Sequence, residues 1–141
     1  MPRLLVSTLL ACAMVAAACG SDGGESDDPS ILPSGALGPV TPEAAAEAVR
    51  GLCDLESATD RAEAEATFLD RSHETLHVIA AATEVRDRDA AADLLEAKQR
   101  VEADLADPDL PPGFAADVGA LIQASRAALD VIGLDSPACQ G

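Results

Sequence analysis

From Thr41 to Ile132 the apolar residues recur every three or four positions, and no segment alternates with period two over the length of a strand. That spacing puts apolar groups along one side of a helix and leaves no half-buried strand. The region must therefore be built from amphipathic helices. Thr41 supplies an N-cap, Pro42 suits the first helical position, and Glu43 complements the helix dipole. Ala45, Ala48, Val49, Leu52 and Leu55 then share a face, and Ser57-Ala58-Thr59 ends the first helix. Asp60 caps a second, with Glu63 in the capping-box position, and this helix runs to the vicinity of Arg86. Its expected inward stripe is Leu69, Ser72, Leu76, Ile79 and Thr83, with Phe68 beside it. Asp87-Arg88-Asp89 makes a short turn and cap, after which Ala91, Leu94, Leu95, Val101 and Leu105 mark a third helix ending near Ala106. The run Asp107-Pro108-Asp109-Leu110-Pro111-Pro112-Gly113 cannot continue it. Phe114, Val118, Leu121, Ala128, Leu129 and Ile132 line a fourth helix, and Gly133 stops it. Four such helices with short connections predict an all-α fold, a small antiparallel four-helix bundle over residues 41–141.

The start of the chain has a different logic. Arg3 is followed by Leu4 to Ala18, which carries no charge, and the chain turns polar at Gly20-Ser21-Asp22. A positive start, an apolar stretch of about 15 residues and small residues before a cleavage point make a secretory signal. The stretch falls short of the roughly 20 apolar residues that span a bilayer. Ala16-Ala17-Ala18-Cys19 resembles the lipobox of bacterial lipoprotein precursors. The resemblance implies that residues 1–18 are removed and that the Cys19 thiol carries a diacylglyceryl group. Leu9-Leu10-Ala11-Cys12 fits the same pattern in isolation, but a cut there would leave only about eight apolar residues ahead of it. Cys19 is therefore the expected anchor, and the expected location is the extracytoplasmic face of the cell membrane. Residues 19–40, rich in Gly, Ser, Asp and Pro, read as a flexible acidic tether too polar to bury a core.

Charge narrows the partners. The chain has 25 acidic residues against 9 Lys and Arg, for a net charge of −16. Nucleic acid is excluded as the expected partner, because phosphate binding needs clustered bases. Electrostatic adhesion to anionic lipid is not expected for the same reason, so the lipid on Cys19 is the expected membrane attachment. Two Phe and no Trp or Tyr leave little for stacking on sugars or bases. An envelope protein is the expected partner, and the sequence does not name it.

With the leader removed and Cys19 lipidated, Cys53 and Cys139 are the remaining cysteines. Export to an oxidising compartment predicts a disulfide between them. There is a geometric tension. Cys53 lies in the last turns of the first helix, whereas in an up-and-down bundle the fourth helix ends beside the start of the first. The tail from Leu134 to Cys139 spans at most about 20 Å, so it must run back along the bundle, or the first helix must be offset.

His73-Glu74-Thr75-Leu76-His77 matches H-E-x-x-H, which on a helix puts two imidazoles one turn apart with a Glu poised as base. It resembles the zinc-protease motif. That family adds a downstream ligand and a sheet that positions substrate; Glu96 has a plausible separation but faces away from the apolar stripe, and no strand is expected. The match is therefore read as incidental, and no enzyme activity is expected. A milder possibility is a metal site without catalysis. By helical angle Asp70, His73, His77 and Glu84 share one edge of the second helix, and Lys98 and Glu102 fall close to the inward face of the third. His73, His77 and Glu102 could then converge on a transition metal, as ligands do inside metal-binding bundles. The expected role is a helical interaction or structural domain, with a tethered metal-binding module as the alternative.

Overall fold

The computed structural model describes residues 38–139. The leader, Cys12, Cys19 and the tether as far as residue 37 lie outside the described residues. The described chain is all-α, and no strand occurs among these residues. Four helices follow one another. Helix α1 is Pro42–Leu55. Helix α2 is continuous in three parts, Arg61–Phe68, a wide π turn Leu69–His73, and Glu74–Glu84. Helix α3 is Arg88–Ala106 and α4 is Phe114–Ile132. No described helix is long and apolar enough to cross a membrane.

The helix starts follow from side chains that satisfy backbone N–H groups left open in the first turn. Thr41 accepts from the Ala44 N–H at 3.2 Å, Asp60 from Glu63 at 2.8 Å, and Asp87 from Asp89 and Ala90 at 3.0 Å. At the far end Gly133 takes φ 77°, a left-handed conformation that closes α4 at low cost only for glycine. Arginines close other ends from a distance. Arg61 Nε donates to the Leu105 carbonyl at 3.0 Å, tying the start of α2 to the end of α3. Arg86 donates to the Val131 carbonyl at 3.3 Å near the end of α4.

Helix α1 packs on α2 and α4 but does not reach α3, whereas α2, α3 and α4 all touch one another. The core forms where their stripes meet, with Leu52, Leu55, Phe68, Leu76, Leu121 and Leu129 among the side chains removed from water. Ala45, Ala48, Ala64, Ala97 and Ala128 fill the spaces between them. The stripe expected on α2 needs one correction. Leu69 is 51% exposed, and Phe68 holds the buried position. The inward residues Ala64, Phe68, Ser72 and Leu76 come every fourth position, and an ordinary helix would rotate that row steadily off the core. The wide turn at Leu69–His73 absorbs the drift and turns Leu69 outward.

At the wide turn α1 comes close. A side chain carbon added to Gly51 would lie 2.6 Å from Ser72 Oγ and 2.9 Å from Arg71 Cβ. Ser72 Oγ cannot move aside freely, because it is buried and donates to the Ala48 carbonyl at 2.9 Å. Gly51→Ala should therefore destabilise the fold despite the better helix propensity of alanine. A net loss of about 1–2 kcal/mol is expected from overpacking set against propensity, readable as a lower Tm; an unchanged or higher Tm would refute the close approach.

Cys53 and Cys139 form a disulfide with their Cα atoms 5.4 Å apart. The tail resolves the geometric tension by doubling back. After Gly133 it runs beside α4 until Arg126 Nη2 donates to the Pro137 carbonyl at 3.2 Å and approaches Cys139 Sγ at 3.5 Å. Arg126 lies roughly 10 Å back along the α4 axis from its end, which brings Cys139 level with Cys53.

Candidate functional site

The π turn sets the direction of His73, and His77 follows one turn later on the same edge of α2. Their rings meet edge to face with centroids 5.0 Å apart, and His73 meets Phe68 in the same way at 5.6 Å. Helix α3 presents Lys98 and Glu102 to this edge. Lys98 is 2% exposed, unusual for a lysine, and its ammonium donates to Glu102 Oε1 at 2.6 Å. The same oxygen pairs with His73 Nε2 at 3.0 Å. One carboxylate oxygen thus serves a buried ammonium and an imidazole across the α2–α3 seam.

The protonation of the group follows from these contacts. Burial pushes the Glu102 carboxyl up, but the hydrogen bond and charge of Lys98, with the contribution of His73, outweigh it. Glu102 ends below the ordinary value of 4.5. Burial also disfavours the charged form of His77, and the charges of Lys98 and His73 add to this. Against the pull of Glu102 and Glu74, His77 ends below 6.5. Beside His77 a cleft of about 350 Å³ opens between α2 and α3, floored by Ala80, Ala91 and Leu95 and edged by Glu84 and Arg88. On the other side of the His73–Glu102 bridge a smaller depression of about 130 Å³ lies against Phe68, Leu69, Glu102 and Leu105.

The expected trio of His73, His77 and Glu102 does come together, but Glu102 is taken up by Lys98 and His73, and His77 joins only through its ring contact with His73. Among the described residues no group of three or more His, Cys, Asp or Glu side chains is arranged to hold a metal ion. The oxygen of Glu102 that would face a cation already faces the Lys98 ammonium. Glu74 is exposed, and Glu96 is exposed and paired with Arg100 at 2.8 Å. Asp70 is exposed as well, whereas Glu84 reaches the cleft.

A second polar concentration surrounds the disulfide. Arg71 bonds to Glu47 at 2.7 Å and also to Asp54, and Arg50 pairs with Glu47 at 3.1 Å. Arg71 holds the Glu47 carboxyl below its ordinary 4.5, with Arg50 adding to the effect. Arg50, Asp54, Arg71 and both cysteines line a cleft of about 320 Å³. Sequence reasoning did not find this group, because its members are brought together by the α1–α2 crossing and the returning tail.

No known protein family, no curated protein and no solved structure matches this chain. Its own residues carry the functional reading.

Proposed function

We propose that the chain is an extracytoplasmic lipoprotein, anchored through Cys19, whose domain is an antiparallel four-helix bundle serving as an interaction or structural module at the cell envelope. The observation that carries this reading is the Cys53–Cys139 disulfide, taken with the apolar leader that ends at Ala16-Ala17-Ala18-Cys19. A disulfide of this kind persists in an oxidising compartment, and a secretory leader is the route to one. The bundle reading is supported by ties between opposite ends of neighbouring helices, Arg61 to Leu105 above all, and by short connections. The net charge of −16 favours a partner with a basic surface, since it would repel nucleic acid and anionic lipid alike. A tethered metal-binding module on His73 and His77 would require Glu102 to release Lys98, and for that reason the interaction role is preferred.

Cys19 provides the test. In cells, Cys19→Ser should move the protein out of the membrane fraction or leave it with its leader attached, whereas Cys12→Ser should change neither. A Cys19→Ser protein that is still processed and still in the membrane fraction would refute the anchor.

A further inference from the structure

The two sulfurs of the disulfide have different surroundings. Around Cys53, the charges of Arg50 and Arg71 are balanced by Glu47 and Asp54 through the pairs already described. Around Cys139, Arg126 directs Nη2 to the sulfur itself at 3.5 Å. Its charge is shared between the Cys139 sulfur and the Pro137 carbonyl. Both cysteines are half-buried and line the same open cleft, so an incoming group can reach the bond.

In thiol–disulfide exchange the rate depends on which sulfur is reached and on how readily the other leaves as a thiolate. A neighbouring guanidinium lowers a thiol's pKa and so makes it the better leaving group. We infer that the Cys53–Cys139 disulfide is an exchange site for a dithiol reductant, with Cys53 the attacked sulfur and Cys139 the leaving thiolate held by Arg126. A thiolate of the reductant attacks Cys53 Sγ. The S–S bond breaks, its electron pair leaves on Cys139 Sγ, and a mixed disulfide joins the reductant to Cys53. The second thiol of the reductant loses its proton to water and attacks its own sulfur in the mixed disulfide. Cys53 is expelled as a thiolate and takes a proton from water. The dithiol is oxidised by two electrons, and the protein disulfide is reduced.

The reduced state differs from the oxidised one in a defined way. The tail from Leu134 to Cys139 has no regular secondary structure, and reduction leaves it held by Arg126 and by the packing of Leu134 rather than by a covalent bond. Oxidation can close the bond between Cys139 and Cys53 again. This inference concerns the bond itself and does not require Cys19 to be lipidated, so the two readings fail separately.

The experiment uses the full-length protein purified in detergent. A Cys-x-x-C dithiol protein whose second cysteine is replaced traps the mixed disulfide, and peptide mapping identifies the residue that carries it. Capture on Cys53 is expected; capture mainly on Cys139, or on both equally, would overturn the assignment. In parallel, reduction by dithiothreitol is timed for the wild type, Arg126→Gln and Arg126→Lys. Loss of the guanidinium should slow reduction by roughly three- to tenfold, and Lys should restore part of the rate. If Arg126 only packs the tail, Arg126→Gln loosens it and reduction becomes faster. A faster or unchanged rate therefore rejects the role given to Arg126.

Discussion

Cys139→Ser should lower the stability of the domain by about 2–5 kcal/mol, the usual cost of removing a native disulfide from a small domain. For a domain of this size that is a fall in Tm on the order of 10 °C or more. The sequence separation of 86 residues puts the loop-closure contribution near the upper end of that range. The packing gives a second reason. Alanine fills many core positions, and each buries little apolar area, so the covalent link carries a larger share of the total. The loss should also be uneven. Helix α1 touches α2 and α4 only, and its last turns are fastened to the tail. Hydrogen exchange should rise first in α1 and in residues 134–139, while the α2–α3 pair keeps its protection. Dithiothreitol should bring the wild type down to the Tm of Cys139→Ser and leave the variant where it is. A wild type whose melting ignores full reduction would show that the disulfide adds no stability.

The contrast between the helix ends and the tail explains what could be read in advance. Thr41, Asp60, Asp87 and Gly133 act on backbone within a few residues of themselves, so their roles are local and visible in the chain. The faces of α1, α3 and α4 are equally local, since each is a row at helical spacing. On α2, Phe68 and Leu69 are adjacent apolar residues, and either could face inward. The wide turn turns Phe68 inward and Leu69 outward where Gly51 of another helix comes close to Ser72, a contact that lies outside the helix's own sequence. The return of the tail rests on Arg126, which nothing in its own stretch marks as a partner for Cys139. Similar limits apply at the seam. Helical angle placed His73, His77, Lys98 and Glu102 on facing edges. It could not say that one oxygen of Glu102 would take both Lys98 and His73, because that depends on the depth at which each side chain stands. Two imidazoles and a carboxylate therefore read as ligands, whereas the structure clusters Glu102 with the buried Lys98 ammonium and with His73.

Glu102→Ala tests that cluster. It strands the Lys98 ammonium, which is almost entirely removed from water and donates to Glu102. Breaking a fully buried pair in this way costs about 3–5 kcal/mol. The Glu102 side chain is 36% exposed, so water can reach part of the gap; a loss of about 2–3 kcal/mol is the discounted expectation. Lys98→Met should behave differently. It fits the same apolar wall without a charge, leaving Glu102 partly solvated and still bonded to His73, and its cost should be about 1 kcal/mol or less. In the Lys98→Met background Glu102→Gln should cost almost nothing, and the double variant should melt well above Glu102→Ala. The pH dependence carries the matching sign. Glu102 is held below 4.5 in the folded protein, so its contribution is complete above the ordinary carboxylate value and is lost as pH falls below 4.5 through the folded value. His77 is held below 6.5, so the unfolded chain takes up its proton first and stability drops as pH falls from about 6.5 through the folded value. Melting curves from pH 7.5 to 3.5 should therefore fall in two stages in the wild type, with the upper stage absent in His77→Gln and the lower one reduced in the Lys98→Met, Glu102→Gln double variant. If Glu102→Ala costs as much in the Lys98→Met background as in the wild type, Lys98 is not what the carboxylate neutralises, and the charge balance assigned to this seam is wrong.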